Sequence, residues 1–306
     1  MIFRREHLGQ HPAVFRSLTG LTVETFDRML PELLRAFAAD RRRRLDRPDR
    51  RRAPGGGDDF DLPVADRFLL TVVWLRQYPT QECLGYLFGV SDSTALRAVR
   101  RCLPLLEAAG KDSFRLPDPG RGRRRGLPAL RKGTPELAVI IDTFEQRTQR
   151  PKRRQRAYYS GKKQAHTLKS QVAVDEDGRI ADVGASRPGR WADLKVFRRS
   201  GLLGKLARAK VGALGDLGYV GIGGLSRRLC GATPRRKPRG QERPAADRRY
   251  NRAFARRRIV VEHAIGRLRK YQALSQVDRH RRRQHTARAR AVAGLVNRML
   301  DHRPAA

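Results

Sequence analysis

Cysteine is scarce in this chain. Only three occur among 306 residues, at Cys83, Cys102 and Cys230. They are odd in number, stand far apart and form no CxxC spacing, which argues against a disulfide framework and against a zinc ribbon. A chain of this length can bury a core without such bonds, so we interpret the three thiols as ordinary packing residues.

Long apolar runs are also lacking. A membrane-spanning helix needs about eighteen consecutive apolar residues, and no apolar run here is nearly that long. The stretch from Met1 to Phe15 also lacks the continuous apolar core of a signal peptide. We therefore expect no membrane partner and a cytoplasmic protein.

Acidic residues are few beside the basic ones. Asp and Glu total 30 against 68 Lys and Arg, a formal net charge of +38. Repulsion among so many positive charges is offset when the protein binds a polyanion, and the phosphate backbone of nucleic acids is the commonest polyanion inside cells. Aromatic residues make up only 7% and form no aromatic-rich strand, which argues against an RNA-binding protein. Charge alone suits a ribosomal or chromatin protein equally well, so the activity must come from motifs.

The first third of the chain is predicted to be helical. Apolar residues recur at helical spacing from Leu21 to Phe37, with Thr22 as a candidate N-cap. Residues 41–59 are rich in Arg, Pro and Gly, and they indicate a linker or exposed loop that either contacts DNA or is simply solvated.

Three predicted helices with tight breakers follow, at Val64 to Gln77, Thr80 to Phe88 and Ser91 to Leu106. Within residues 62–108 they have the layout of a helix-turn-helix, whose second helix would enter the major groove of DNA. Ser91 is the predicted N-cap of that helix, and a plain helical bundle is the alternative. The candidate DNA-binding residues on this helix are Arg97, Arg100 and Arg101.

The second half changes character after another Pro, Gly and Arg-rich stretch at residues 115–133. The apolar run Leu137 to Ile141 predicts a buried strand that ends at Asp142. The remaining predicted elements are strands at Leu168 to Val174, Arg179 to Ala185 and Val211 to Leu214, and helices at Asp193 to Leu206, Ala245 to Lys270 and Thr286 to Leu300.

Three acids stand out against the basic background. Asp142 follows an apolar run, Asp216 lies in GALGDLGYVG, and Glu262 lies in RRRIVVEHAIGRLRK. Each alone could be an ion-paired structural residue. Phosphodiester cleavage by two divalent cations, however, needs carboxylates that converge from separate elements.

The blocks that contain these acids resemble a known family. IIDTFEQRTQRP, YYSGKKQAHTLKSQVAVDEDGRIADVGASRPGRWADLKVF, GALGDLGYVG and RYNRAFARRRIVVEHAIGRLRKYQAL are similar to successive blocks of bacterial insertion-sequence transposases of the DDE superfamily. The resemblance covers the chain from about Leu21. It implies an α/β fold, with a ribonuclease H-like catalytic domain behind a helical helix-turn-helix domain.

The resemblance also implies the site residues. Asp142, Asp216 and Glu262 correspond to the catalytic acids that ligate two Mg²⁺ or Mn²⁺ ions, and Arg258 and Arg269 correspond to basic positions that hold DNA phosphates. Two departures stand beside the match. Asp142 is followed by Thr143-Phe144-Glu145 where the family often has Gly-Thr-Glu, and Ala255 stands where a tyrosine is sometimes found.

Two further features lie between the acids. Lys162, Lys163, His166 and Lys169 form a basic cluster that we interpret as a phosphate contact, with a solvated loop as the alternative. Asp193 corresponds to an acid that the family often keeps after a histidine. Because Ala192 precedes it here, we predict that Asp193 caps a helix N-terminus instead.

The combined prediction is a DNA transposase with three regions: a helical DNA-binding domain at residues 1–115, a linker at 116–135 and a catalytic domain at 136–306. Its partners would be double-stranded DNA, at the terminal inverted repeats and the target, and a second copy of the chain or more in the synaptic complex. It would act at the bacterial nucleoid. The alternative is a catalytically inactive DNA-binding protein descended from a transposase.

Overall fold

The structure is a computed structural model that describes residues 3–46, 62–117, 137–226 and 231–302. Contacts between residues divide the chain into two compact units. The N-terminal unit comprises Met1–Asp112, Lys270–Gln276 and Arg290–Ala306, and the sheet unit comprises Ser113–Arg269 and Val277–Ala289. Residues 47–59, residues 118–135 of the predicted linker and Cys230 lie outside the described residues.

The N-terminal unit is helical. Thr22 caps the third helix as predicted, since its hydroxyl accepts a hydrogen bond from the Thr25 amide at 3.2 Å. The helices are α1 (Arg5–Gly9), α2 (Pro12–Thr19), α3 (Val23–Leu45), α4 (Val64–Gln77), α5 (Gln81–Phe88) and α6 (Asp92–Asp112).

Helix α3 runs further than the sequence predicts. The Arg-rich stretch was expected to be a loop from residue 41, but residues 41–45 are helical, so that part of the prediction is wrong. Asp40 is buried and pairs with Arg43 and Arg44 at 2.8 Å each, three and four residues later. Such pairs lie on one helix face and support another turn.

Helices α4, α5 and α6 form the predicted helix-turn-helix region. Helix α4 is the centre of the unit: eight consecutive residues from Phe68 to Leu75 are buried in it. Helix α5 ends at Gly89 in the left-handed conformation, where φ is 63° and glycine carries no steric penalty. Ser91 then caps α6, because its hydroxyl accepts from the Thr94 amide at 3.2 Å.

The sheet unit is built on a mixed sheet. Strand β1 is antiparallel to β3 and parallel to β6, and the main path of the sheet is β2-β3-β1-β6-β7, with β4 and β5 also paired to β3. Within the described residues the strands are β1 (Leu137–Arg147), β2 (Tyr159–Ser160), β3 (Ala165–Val174), β4 (Ile180–Val183), β5 (Arg187–Pro188), β6 (Gly212–Leu214) and β7 (Gly231–Ala232).

Strand β1 does not end at Asp142 as predicted. It continues to Arg147, because β3 pairs with it residue by residue from Ile140 to Arg147. Asp142 therefore lies in the middle of a strand, opposite Val172. The predicted strands around β3, β4 and β6 are present, with ends shifted by a few residues.

Helices flank this sheet. The single helix predicted from Asp193 to Leu206 is two helices, because Gly201 adopts a left-handed conformation with φ of 79° and interrupts the helical hydrogen bonds. The helices are α7 (Gln155–Tyr158), α8 (Asp193–Arg199), α9 (Leu202–Ala209), α10 (Ala245–Arg269) and α11 (His285–Asp301), of which α11 is shared between the two units.

The fold class agrees with the prediction: a mixed α/β unit accompanies a helical N-terminal unit that contains the helix-turn-helix. Residues Val139, Ile141, Phe197 and Leu206 belong to the core between the sheet and helices α8 and α9. Among the helices that the structure describes, none combines the length and the apolar character needed to span a membrane.

Candidate active site

The three predicted acids line one cavity in the sheet unit. Its volume is about 400 Å³, and Asp142, Asp216 and Glu262 all contribute to its wall. The cavity is also lined by five of the residues predicted to bind DNA, namely Lys162, Lys163, Lys169, Arg258 and Arg269.

Parallel pairing of β1 and β6 places the first two acids side by side. Ile140 is paired with Leu214. Asp142 and Asp216 each stand two residues further along, so adjacent chain segments deliver them to the same part of the sheet. Asp216 comes just after β6 and caps a 3₁₀ turn, where its Oδ1 accepts the Gly218 amide at 2.9 Å.

The side chain of Asp142 is largely buried and only 17% exposed. Burial is the main cause that raises its pKa above the ordinary value, and the nearby charges of Asp216 and Asp193 add to the rise. The Thr143 amide, which donates to Asp142 Oδ1 at 2.7 Å, and the guanidinium of Arg258 partly offset it. A raised carboxyl pKa beside other carboxylates is typical of a site that binds cations or moves protons.

Helix α10 supplies the third acid together with its arginine. Glu262 lies one turn after Arg258, whose Nη2 is 3.4 Å from Glu262 Oε1 and 3.3 Å from Asp142 Oδ2. Arg258 thus links the helix to the sheet through both acids. The Glu262 side chain remains 56% exposed, so it is free to change rotamer.

A fourth acid, Asp193, belongs to the same cluster. The prediction that it caps a helix is wrong: Ala192 occupies the N-cap position of α8, and Asp193 is the first helical residue. Its Oδ1 instead accepts hydrogen bonds from Thr143 Oγ1 at 2.7 Å and from Lys169 Nζ at 2.9 Å. The family resemblance of GRWADLKVF was the signal that could have placed Asp193 in the site.

Lys169 is held by acids on the site's floor. The side chain is buried, and its ammonium donates to the Trp191 carbonyl at 2.8 Å and to Asp193, and lies 3.5 Å from Glu145 Oε1. The prediction that Lys169 contacts phosphate stays a prediction, but these carboxylates already engage its charge. Glu145 is fixed in turn by the Thr167 hydroxyl at 2.7 Å.

The negative charge of the acidic cavity affects the pKa of Tyr219. Its side chain is fully buried, and its oxygen accepts from Gln171 Nε2 at 3.1 Å. Burial raises its pKa well above the ordinary value, and the charges of Asp193, Asp142 and Asp216 raise it further. The negative charges of these three carboxylates therefore all act on one buried phenol.

Gly218 shows how closely two of these acids approach. A Cβ at this glycine would stand 2.6 Å from Asp193 Oδ2 and 3.0 Å from Asp216 Oδ1, so the two carboxylates flank the same small space. Oxygen ligands from several elements fit a hard divalent cation. Across the described residues, however, no three candidate ligands are gathered closely enough to hold an ion. Arg258 stands between Asp142 and Glu262 and pairs with both.

The other predicted DNA-binding residues lie elsewhere. Arg97 and Arg100 are exposed on α6, and Arg97 Nη2 donates to Ser93 Oγ at 3.2 Å. Arg101 packs over the ring of Phe37 at 4.2 Å and is 20% exposed. His166 lines a separate pocket of the sheet unit, not the acidic cavity.

Comparisons with known proteins identify the family. The family model described as DDE superfamily endonuclease matches residues 141–297, which include all four acids. The chain belongs to the DDE superfamily endonucleases. A second model, the helix-turn-helix of DDE superfamily endonuclease, matches residues 60–112, and the predicted helix-turn-helix is thereby confirmed.

Two curated relatives of this DDE endonuclease extend over most of its length. One, named "Probable transposase for insertion sequence element IS702", comes from Microchaete diplosiphon and is 30% identical over 92% of this chain and 93% of its own. The other, from Streptomyces albus G, carries a corresponding name for insertion sequence element IS112 and is 26% identical over 87% of each chain. No solved structure matches the chain. DDE endonucleases generally use divalent metal ions, in keeping with the oxygen-rich cavity.

Proposed function

We propose that the chain is a transposase that cuts DNA at the ends of its mobile element and joins those ends to target DNA. Asp142, Asp216 and Glu262 would hold two divalent cations, Mg²⁺ or Mn²⁺. The observation that carries the proposal is the convergence of these acids, from β1, the end of β6 and α10, in one cavity whose rim is basic.

When bound, such cations supply Lewis-acid stabilisation of the attacking and leaving oxygens at phosphorus. The chain's own residues orient the substrate. Exposed Lys162 and Lys163, with Arg269, give the cavity a positive rim that would hold the phosphates on either side of the scissile bond. Cleavage and joining are both in-line displacements, so one site would serve both steps.

Arg258 would change partners during this cycle. Its guanidinium pairs with Asp142 and Glu262 in the structure. When these carboxylates ligate a cation, the guanidinium becomes available for a DNA phosphate. Lys169, in contrast, would keep its pairing with Asp193 and so hold that acid beside Asp216.

The helix-turn-helix would recognise the terminal inverted repeats. Arg97 and Arg100 are exposed near the start of α6, the helix that enters the major groove in this motif. Arg101, which packs on Phe37, would contribute to the local positive potential. Joining two element ends further implies a dimer or larger assembly on the DNA, at the bacterial nucleoid.

The test is cleavage of a labelled duplex that carries the element's own ends, in Mg²⁺ or Mn²⁺. Asp142→Asn, Asp216→Asn and Glu262→Gln keep the side-chain shapes but remove the ligand charges, and each should abolish nicking while duplex binding is retained. Asp177→Asn is the matched control, because Asp177 is an exposed acid in the turn before β4. Binding without cleavage by the unaltered protein would favour an inactive transposase-derived DNA-binding protein.

A further inference from the structure

A second pocket in the sheet unit has a different chemistry from the acidic cavity. Its volume is about 690 Å³, within the range of roughly 300–1,000 Å³ that is common for pockets that bind organic ligands. We propose that this pocket holds one unpaired nucleotide of the DNA strand that enters the acidic cavity. The proposal rests on the proposed function for its ligand, DNA. Its walls include Arg150, Arg156, Arg190, Tyr159 and His166.

The positive charge of the residues that line this pocket favours an anionic ligand. Among the described residues that line it, three are arginines and none is a carboxylate. All three arginines are exposed, and Arg150 is oriented by the bond from its Nε to Gln155 Oε1 at 2.9 Å. Guanidinium groups match phosphate oxygens through paired hydrogen bonds, so a phosphodiester fits this wall.

Tyr159 provides a surface for a base. Its side chain is 40% exposed, yet the ring does not swing freely. Its hydroxyl donates to Gln164 Oε1 at 2.9 Å, and the ring meets His166 edge to face with centroids 5.6 Å apart. A ring held in place before the ligand arrives loses little conformational entropy when a base stacks on it.

The two pockets are neighbours along the strand that shapes both. In the turn between β2 and β3, Gly161 lines the basic pocket, while Lys162 and Lys163 line the acidic cavity. On β3, His166 faces the basic pocket and Lys169 the acidic cavity. Adjacent Cα atoms are about 3.8 Å apart, so the step from Gly161 to Lys162 places the borders of the two pockets within reach of neighbouring nucleotides of one DNA strand.

An unpaired nucleotide fits better than a base pair. In a duplex both faces of a base are covered by its neighbours, so Tyr159 could stack only on a base that has left the helix. Phosphates of an intact duplex could reach the arginines alone. Loss of the Tyr159 ring should therefore weaken the binding of an unpaired nucleotide but not the binding of an intact duplex.

The experiment measures binding without metal, in EDTA, so that it does not depend on cleavage. The probe is a short single-stranded oligonucleotide that carries one 2-aminopurine, with the duplex of the same sequence in parallel. Tyr159→Ala should weaken single-strand binding by about 5- to 150-fold and relieve the quenching of 2-aminopurine, and duplex binding should be unchanged. Tyr159→Phe keeps the stacking ring and loses only the bond to Gln164, so it should retain most of the single-strand binding and the quenching.

The arginines are tested by the dependence of binding on salt. Arg156→Gln should reduce the slope of log affinity against log salt by about 0.7 for the single strand. Arg208→Gln is the matched control, because it removes an exposed arginine of the same unit that does not line the pocket.

Failure of this inference is distinct from failure of the proposed function. Equal loss of single-strand and duplex binding in Tyr159→Ala, or no loss of either, would overturn the inference even if the unaltered protein cleaves DNA. Tyrosine-dependent quenching in a protein that cuts no DNA would uphold the pocket while the proposed activity falls.

Discussion

Replacing Gly218 with alanine should disable the acidic site without altering any of its acids. The new methyl group would stand 2.6 Å from Asp193 Oδ2 and 3.0 Å from Asp216 Oδ1. Ordinary contacts between carbon and oxygen are longer than this, so at least one carboxylate must retreat by roughly 0.5–1 Å. The backbone itself tolerates alanine, because Gly218 does not adopt a left-handed conformation.

The magnitude follows from the sensitivity of such sites to position. A misplacement of about 1 Å can cost on the order of 100-fold in rate, so we expect metal-dependent cleavage to fall by about 10- to 100-fold. The Gly218 amide still donates to Asp216 in the variant, so the fold of the turn should persist. Mn²⁺ affinity, measured by titration calorimetry in the absence of DNA, should fall by about tenfold, or about 1.4 kcal/mol.

Gly224→Ala is the control for this experiment. Gly224 lies in the next 3₁₀ turn, is exposed, and has no atom near the place of a new Cβ. It should bind Mn²⁺ and cleave DNA like the unaltered protein. If Gly218→Ala also bound Mn²⁺ and cleaved normally, the reasoning that the space beside Gly218 fixes the position of the Asp216 carboxylate would be refuted.

Three further outcomes are expected. Arg258→Gln removes the guanidinium that pairs with two of the acids. Mn²⁺ should therefore bind several-fold more tightly, as measured by calorimetry, while DNA cleavage falls. An unchanged Mn²⁺ affinity would mean that the arginine does not compete with the metal ion for these acids. His285 is fully buried, and burial lowers its pKa to about 3. As the pH falls, this histidine is therefore protonated in the unfolded chain before it is protonated in the folded protein. Stability should therefore be lost as pH falls below about 6.5, by about 2 kcal/mol between pH 7 and pH 5 in urea unfolding, and a His285→Gln variant should lack this component. Thr22→Ala removes the cap of α3 and should lower the free energy of unfolding by about 1 kcal/mol, whereas exposed Ser93→Ala should not.

The sequence alone determined that the protein combines a helix-turn-helix with an α/β fold. Helical spacing, caps such as Thr22 and Ser91, and glycine stops such as Gly89 are local signals, and the corresponding helices begin at the predicted caps. The family blocks likewise predicted the three acids, because motif and order along the chain need no coordinates.

Element ends were less predictable where partners distant in sequence decide them. Strand β1 continues past Asp142 only because β3 pairs with it as far as Arg147. The predicted helix after Asp193 breaks at Gly201, a conformation that glycine permits but does not require. Pairing and backbone conformation of this kind depend on the whole fold.

Tertiary structure alone decided how the site is assembled. The register of β1 against β6 sets Asp142 beside Asp216. Packing of α8 places Asp193 where its carboxylate bonds to Thr143 and Lys169 and does not cap a helix. Arg258 pairs with two acids, Asp142 and Glu262, that are far apart in the chain. Spacing along the sequence could indicate the pair of Arg258 with Glu262, four residues apart on one helix. It could not reveal that Arg258 also meets Asp142, or that Lys169 meets Asp193, because these pairs form through space between distant parts of the chain.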